Sequence, residues 1–450
     1  MAPTTGLEEF SMQVFNLVNM NSQVFKKRLL KIHQIPSFLF VIKWLLLCTL
    51  IGVLAGSASA FLLLSLEWAT QWRESHLWII ALLPLGGLAI GLTYHYWGAS
   101  VVKGNNQLLE EFHTPRKIIP FKMAPLVFFG TVATHFFGGS AGREGTAVQM
   151  GGAIADQFTK LLKIKLRDRK ILLVMGVSAG FASVFGTPLA GTVFALEVFI
   201  IGRMRYEYLL PSLLAAVVAN YTCPLWGVVH TPYTIPFVPA FNLIGLLWAI
   251  LAGMFFGIAA LLFSKATHFW GTLFKRMFSY SPLRPMIGGG ILAGTVWLIG
   301  TTKYIGLGVP AIVASFDHKM LPYDFLAKII FTSFTLGAGF KGGEVTPLFF
   351  IGATLGNTLA IFIPLPLGLL AGMGFVAVFS GATNTPIACT LMGIELFGAE
   401  CGVFVAIACF TAYLFSGHTG IYSSQIIGSP KHFLFGRYKG RTLFQLKGNH

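Results

Sequence analysis

Two acids interrupt a chain otherwise suited to a non-polar solvent. Glu144 sits in Gly142-Arg143-Glu144-Gly145-Thr146, and Glu344 sits in Gly342-Gly343-Glu344-Val345-Thr346. Apolar sequence follows each break as far as Gly152 and Gly352, so glycine, glutamate, threonine and the later glycine recur at a spacing of 200 residues. A carboxylate at membrane depth is costly and is retained where ions or protons pass. Two of them in matching breaks of two half-chains suit a transporter with its site at the repeat interface. A carboxylate can fill an anion site because it is itself an anion, and protonation would release it. On this reading Glu144 gates an anion path and carries a proton, while Glu344 is a second proton site. Gly145, Thr146, Val345 and Thr346 begin the helix that follows each break. The start of a helix offers free N–H groups and partial positive charge to an anion, and the Thr346 hydroxyl faces either its neighbouring glutamate or the ion. The bland alternative for each acid is a structural helix cap. Arg143 is read as structural, paired with an acid or a helix end.

Further donors are Tyr422, whose phenol needs a partner when buried, and Asn105, whose amide can donate to a halide. The flanks of Tyr422, Gly417-His418-Thr419-Gly420 and Ser423-Ser424, are polar for this chain. Asn106 and Gln107 are read as caps of the helix they begin. His113, His135 and His418 have no metal-ligand spacing, and the five cysteines lack a CxxC pair, so neither a metal, a cofactor nor a disulfide is expected.

The elements that position these residues follow from composition. Charged residues make up 11% of the 450 and hydrophobic ones 55%, with a mean hydropathy of +0.73. A soluble domain would carry about 25% charged residues, so the solvent for the long apolar runs at 38–66, 78–97, 243–263 and 361–379 is a lipid bilayer. Fifty-one glycines and twenty-one prolines cut other runs into pieces too short to span, which predicts tilted and half-length helices around an internal cavity. The net charge of +16 is read as positive-inside bias. Lys26, Lys27, Arg28 and Lys31 precede the first span, and Lys431, Arg437, Lys439, Arg441 and Lys447 follow the last, which places both termini in the cytoplasm. The basic residues are dispersed, so no nucleic-acid partner is expected. The first 25 residues are weakly amphipathic and could lie as a surface helix, and no cleavable signal peptide is expected.

The duplication extends beyond the two breaks. Thr187-Pro188 leads to Glu197 as Thr385-Pro386 leads to Glu395, and Gly104-Asn105-Asn106-Gln107-Leu108 is echoed by Gly306-Leu307-Gly308-Val309-Pro310. Three ordered matches at nearly one offset indicate two homologous halves. The expected organisation is a cytoplasmic segment at 1–37, repeats at 38–220 and 240–428 joined by a linker at 221–239, and a basic tail at 429–450 without a CBS domain. Glu197 and Glu395 are read as structural, at a helix end or a subunit contact. Opposed halves would bring helix N-termini together near mid-membrane.

Gly142-Arg143-Glu144-Gly145, followed by Thr146-Ala147-Val148-Gln149-Met150-Gly151-Gly152, resembles the signature of the CLC chloride channels and anion/proton antiporters. The break at 342–347 and Tyr422 resemble two further motifs, and the resemblance covers about residues 38–428. It implies an all-α polytopic membrane protein, a CLC-type inverted repeat with many tilted and broken helices. It also implies a homodimer in the cell (inner) membrane with one anion path per subunit, moving fluoride or chloride and protons. Three features depart from the chloride-transporting pattern. Asn105 stands where a serine would help hold the anion, Val198 stands where proton-coupled chloride members carry an internal glutamate, and Thr146 replaces a proline. Glu344, Thr346 and Thr146 are similar to the fluoride/proton antiporter branch, so the expected activity is fluoride export in exchange for protons. A chloride channel or chloride/proton antiporter of the same fold is the alternative. An intramembrane enzyme is remote, because neither Gly-x-Gly-Asp nor Gly-x-Ser-x-Gly occurs.

Overall fold

Among the described residues, proline, glycine and the two acidic breaks divide the α-helices of six or more residues into two series of eight that follow one another in the same order. The computed structural model describes residues 34–240 and 242–446. The expected surface helix and the basic cluster from Lys26 to Lys31 lie outside the described residues, as does Lys447. The first series is α1 (Gln34–Ser75), α2 (Leu83–Tyr96), α3 (Asn105–His113), α4 (Met123–Phe136), α5 (Glu144–Leu161), α6 (Leu166–Phe185), α7 (Pro188–Glu197) and α8 (Leu209–Thr222). The second is α9 (Leu243–Met277), α10 (Leu283–Ile299), α11 (Val309–Ala314), α12 (Asp324–Ala338), α13 (Val345–Leu359), α14 (Leu367–Thr383), α15 (Pro386–Phe397) and α16 (Gly402–Phe415). Each break thus opens the fifth helix of its series, and each Thr-Pro pair opens the seventh.

The lengths fit a bilayer only in part. Among the described residues, four stretches are long and apolar enough to cross: 41–75, 77–96, 206–226 and 243–277. The 42-residue α1 is about 63 Å long at 1.5 Å per residue, far more than the hydrocarbon thickness, so it is tilted or projects beyond it. Phe61, Trp297 and Leu298 are among the large apolar side chains left on the outside, a surface suited to lipid. By contrast α7 has 10 residues and α15 has 12, too few to span. The apolar run at 361–379 is a turn followed by α14. Pro364 and Pro366 cut it, and the helix starts just after the second proline.

Small residues let the helices carrying the breaks press against their neighbours. A Cβ on Gly151 of α5 would lie 2.2 Å from the Gly176 carbonyl oxygen of α6, and one on Gly352 of α13 would lie 1.9 Å from that of Gly374 in α14. Backbone contact this close is the means by which helices associate in lipid. Charge fastens the far end of α5: Arg169 Nε and Nη2 donate to the two Asp156 carboxylate oxygens at 2.7 Å each, a bidentate pair. The fold is almost wholly helical as expected. The exception is a parallel pair of two-residue strands, β1 (Ile200–Ile201) and β2 (Ile426–Ile427), which ties the end of α7 to the segment after Tyr422.

Helices that end inside a membrane leave backbone N–H groups that must find acceptors. At the Thr-Pro helices the two halves solve this for each other. Glu197, the last residue of α7, accepts from Ile387 and Ala388 N–H at the start of α15, at 3.3 and 2.8 Å. Glu395 of α15 accepts from Leu189 and Ala190 N–H at the start of α7, at 2.9 and 2.8 Å. Each acid caps the other half's helix. Both Thr-Pro helices follow a left-handed residue, Gly186 (φ 76°) or Asn384 (φ 62°), the two residue types that best tolerate this conformation.

Candidate functional site

The two acidic breaks lie side by side. Gly142 N–H donates to the Gly343 carbonyl (2.6 Å) and Gly343 N–H to that of Gly142 (2.7 Å), an antiparallel bridge between the halves. Glycine is required there, since a Cβ on Gly343 would lie 2.7 Å from the Gly145 nitrogen. Behind the bridge, Gly306 N–H donates to the Gly139 carbonyl and the Ser140 hydroxyl to that of Tyr304. Two buried cations brace the same loops. Arg73 Nη1 donates to the His135 carbonyl at 2.6 Å, and Lys328 Nζ donates to the carbonyls of Tyr304 and Gly306.

This bracing aims the Glu144 carboxylate at the start of the opposite helix. Glu144 is fully buried. Its Oε2 accepts from Thr346 N–H at 3.0 Å and from Arg143 N–H at 3.1 Å, and its Oε1 accepts a short bond from the Thr346 hydroxyl. Arg143 Nε lies 3.6 Å from Oε1, an ion pair that matches the expected structural pairing of Arg143. Thr346 was expected to face its own neighbour Glu344 or the ion. Its hydroxyl and N–H both go to the acid of the other half. The carboxylate therefore fills a hole built of one N–H and one O–H at a helix start, where an anion is favoured.

Glu344 does not reciprocate. It caps no helix with its side chain, and its Oε2 is buried without a hydrogen-bond partner. It lines a chamber of about 170 Å3 together with Asn105, Asn106, Gln149, Lys103, Lys341 and Tyr422. Asn105, 8% exposed, has an unpartnered Oδ1, and its Nδ2 would lie 3.0 Å from a Cβ on Gly145. So Asn105, Gly145, Glu344 and Tyr422 come together, with Val345 buried in the first turn of α13 beside them.

The Thr146 hydroxyl is held elsewhere, 2.7 Å from that of Thr131 in α4. The caps expected of Asn106 and Gln107 are absent, since α3 starts without a side-chain cap. Asn106 Oδ1 instead accepts from Ser424 N–H at 2.9 Å, fixing the segment that carries Tyr422 against α3. Among the described residues no cluster of three metal-ligating side chains occurs. His113 Nε2 is paired with the Phe199 carbonyl, and His135 bridges the carbonyls of Thr131 and Ala141.

Lys341, Lys103 and Gln149 are among the chamber residues that escaped the sequence analysis. Lys341, beside the second break, places its ammonium 4.1 Å from the centre of the Tyr94 ring, a cation–π contact. Lys103 pairs with Glu110 at 2.7 Å, and Gln149 Nε2 donates to the Gly145 carbonyl. A lysine one residue before a glycine break was the available signal. A larger cavity, about 650 Å3 between α9 and the C-terminal segment, has no carboxylate in its lining and meets neither break.

Comparison with known proteins supplies the remaining observations. The family model "Voltage gated chloride channel" matches residues 86–417. A "Chloride/fluoride channel protein" of Pseudomonas syringae pv. tomato is 55% identical over 89% of this chain and 90% of its own length. An "H(+)/Cl(-) exchange transporter ClcA" of Vibrio vulnificus is 28% identical over 78% and 81%. Among solved structures, a CLC-type fluoride/proton antiporter superposes with a TM-score of 0.83 at 37% identity, covering 86% of this chain and 98% of that one.

Proposed function

The chain belongs to the voltage-gated chloride channel family, and on that premise we propose that it exports fluoride in exchange for protons, with Glu144 as the group that both blocks the anion path and carries the proton. It is a multi-pass membrane protein of that family. The observation that carries the proposal is the seating of the Glu144 carboxylate on the Thr346 N–H and hydroxyl. An ionised carboxylate competes with an anion for those donors. Protonated, it becomes a weaker acceptor and leaves, and the two donors are free for the anion. Anion and proton then exchange because one hole cannot hold the anion and the ionised carboxylate together.

Glu344 serves as the second proton site, facing the chamber with an oxygen that no protein donor satisfies. Asn105 and Tyr422 add neutral donors, and Lys341 and Lys103 add positive charge that draws an anion in. Val198, buried and apolar, leaves proton transfer to the two break acids. Fluoride is favoured over chloride by this donor set, since a small, strongly hydrated ion needs N–H and O–H groups in place of its water. The name borne by the fluoride/proton antiporter structure supports the same choice, while that of the Pseudomonas relative carries both ions. The cell (inner) membrane, with both termini cytoplasmic, is the proposed location, and a homodimer is the proposed assembly. Leu189, Leu210, Val403 and Phe410 on α7, α8 and α16 are exposed apolar residues that a second chain would bury.

The test is ion efflux from liposomes holding the purified protein, with fluoride and chloride read by electrode and internal pH read in parallel. Fluoride efflux that drives proton uptake is expected. Fast chloride efflux without a pH change and without fluoride preference would leave a chloride channel of the same fold.

A further inference from the structure

The cavity of about 650 Å3 beside α9 meets neither break, yet one of its walls is the segment that leads to Tyr422. Gly417, His418, Thr419 and Gly420 line it, whereas the next two residues, Ile421 and Tyr422, line the chamber. The same division holds on α9, where His268 lines the cavity and Thr267 the chamber. His268 ties the two walls together, with Nε2 2.9 Å from the Gly420 carbonyl oxygen. The segment turns at Gly417, whose φ of 62° favours glycine. Whatever fills the cavity therefore bears on the backbone just before Tyr422.

Position, charge and an unpaired hydroxyl point to the occupant. The 35-residue α9 is about 52 Å long, against about 30 Å of hydrocarbon, so its C-terminal turns reach headgroup level. There Lys265, His268, Phe269 and Thr272 share one helix face and line the cavity. Lys265 is exposed and pairs with no acid among the described residues. Opposite, the C-terminal segment lines the cavity with Phe435, Leu443 and Leu446. It turns Phe433, Leu434 and Phe444 outward beside the exposed Arg437, Lys439 and Arg441. Apolar side chains among basic ones suit a segment that lies on an anionic leaflet. No Asp or Glu occurs at 208–316 or 401–450, the two stretches that supply every wall, so the surrounding charge has one sign. At the inner end, Ser264 is 1% exposed and its Oγ has no hydrogen-bond partner among the described residues. Buried hydroxyls are seldom left unpaired, and this one can donate to a phosphate or ester oxygen.

We infer that this cavity holds one anionic phospholipid of the cytoplasmic leaflet and that its occupancy speeds transport. The phosphate sits on Lys265, an ester oxygen on Ser264, and the upper part of a chain against Phe269, Phe435 and Leu446. The bound lipid holds the 417–420 segment, and with it Tyr422, in place beside the chamber. The effect on rate rests on the proposed transport function and orientation, whereas the binding site stands on the cavity itself.

Binding is tested by native mass spectrometry of delipidated protein titrated with phosphatidylglycerol or with phosphatidylcholine. One phosphatidylglycerol per chain should be retained about fivefold more tightly than phosphatidylcholine, the worth of one lysine near an anionic headgroup. Lys265→Ala should lose that preference, Lys265→Arg should keep it, and Thr272→Trp should close the cavity to either lipid. Equal retention of the two lipids by the parent marks ordinary apolar filling and overturns the site. A preference undiminished in Lys265→Ala places the lipid elsewhere and overturns it equally. So does retention of neither lipid, which leaves the cavity to a segment of this chain. In liposomes, raising phosphatidylglycerol from none to about a third of the lipid should speed anion efflux about fivefold in the parent, the lower end of coupling between two sites. Efflux through Lys265→Ala should not respond, and an equal response in both proteins overturns the effect on rate. The mass measurement needs no transport, so liposomes without proton coupling would sink the exchange reading and leave the lipid site to be judged by retention.

Discussion

Glu144 and Glu344 occupy equivalent places in the two halves, as Glu197 and Glu395 do, yet the two pairs are wired differently. The Thr-Pro acids are reciprocal, each capping the other half's helix with two backbone N–H groups. The break acids are not. Glu144 takes the N–H and hydroxyl of Thr346, whereas the Thr146 hydroxyl is tied to Thr131 and Glu344 keeps an oxygen without a partner. A duplicated acid whose bonds remain symmetric is explained by helix ends that need capping. One whose bonds have lost that symmetry leaves a donor set on one side and an unsatisfied acceptor on the other, the inequality on which the proposed proton role of the pair rests.

Apart from the gate Glu144 itself, the largest effect that sharpens this contrast is expected from Glu344→Gln. It should cut proton uptake at least about a hundredfold, in the range of removing a general acid–base group, while anion passage survives. Parallel electrode and pH traces from liposomes check this. Thr346→Val comes next. It removes the hydroxyl bond that holds the ionised gate in place and leaves the N–H, so proton-independent anion leak should rise about threefold to tenfold at high pH. Glu197→Ala and Glu395→Ala should act on stability instead, each costing about 0.5–2 kcal/mol for the lost cap, seen as a lower unfolding temperature in detergent with the ion-to-proton ratio unchanged. The smallest effect is predicted for Thr146→Val, whose hydroxyl serves only the contact between α4 and α5. Its flux should stay within about twofold of the parent, since the lost bond never reaches the ion.

Much of this was legible in the sequence because it depends on local signals. Glycine breaks, Thr-Pro starts and the repeat spacing located α5, α7, α13 and α15, and an acid in an apolar run marked itself as costly. Contacts between the halves were not legible. That Thr346 serves Glu144 and not its neighbour depends on the bridge of Gly142 to Gly343, a pairing across some 200 residues. The same holds for Asn106, whose partner Ser424 lies 318 residues away. Lys341 was passed over because a lone lysine in a long chain carries no pattern, although one beside a buried break is itself a signal.

The most direct test of the contrast compares Glu144→Gln with Glu197→Gln in the same liposomes, following fluoride efflux and proton uptake together. The account predicts that Glu144→Gln abolishes proton uptake while the purified protein keeps its size and unfolding temperature. It predicts that Glu197→Gln keeps the ion-to-proton ratio of the parent and unfolds at a lower temperature. Proton uptake that persists in Glu144→Gln, or that disappears in a Glu197→Gln protein of undiminished stability, would contradict it.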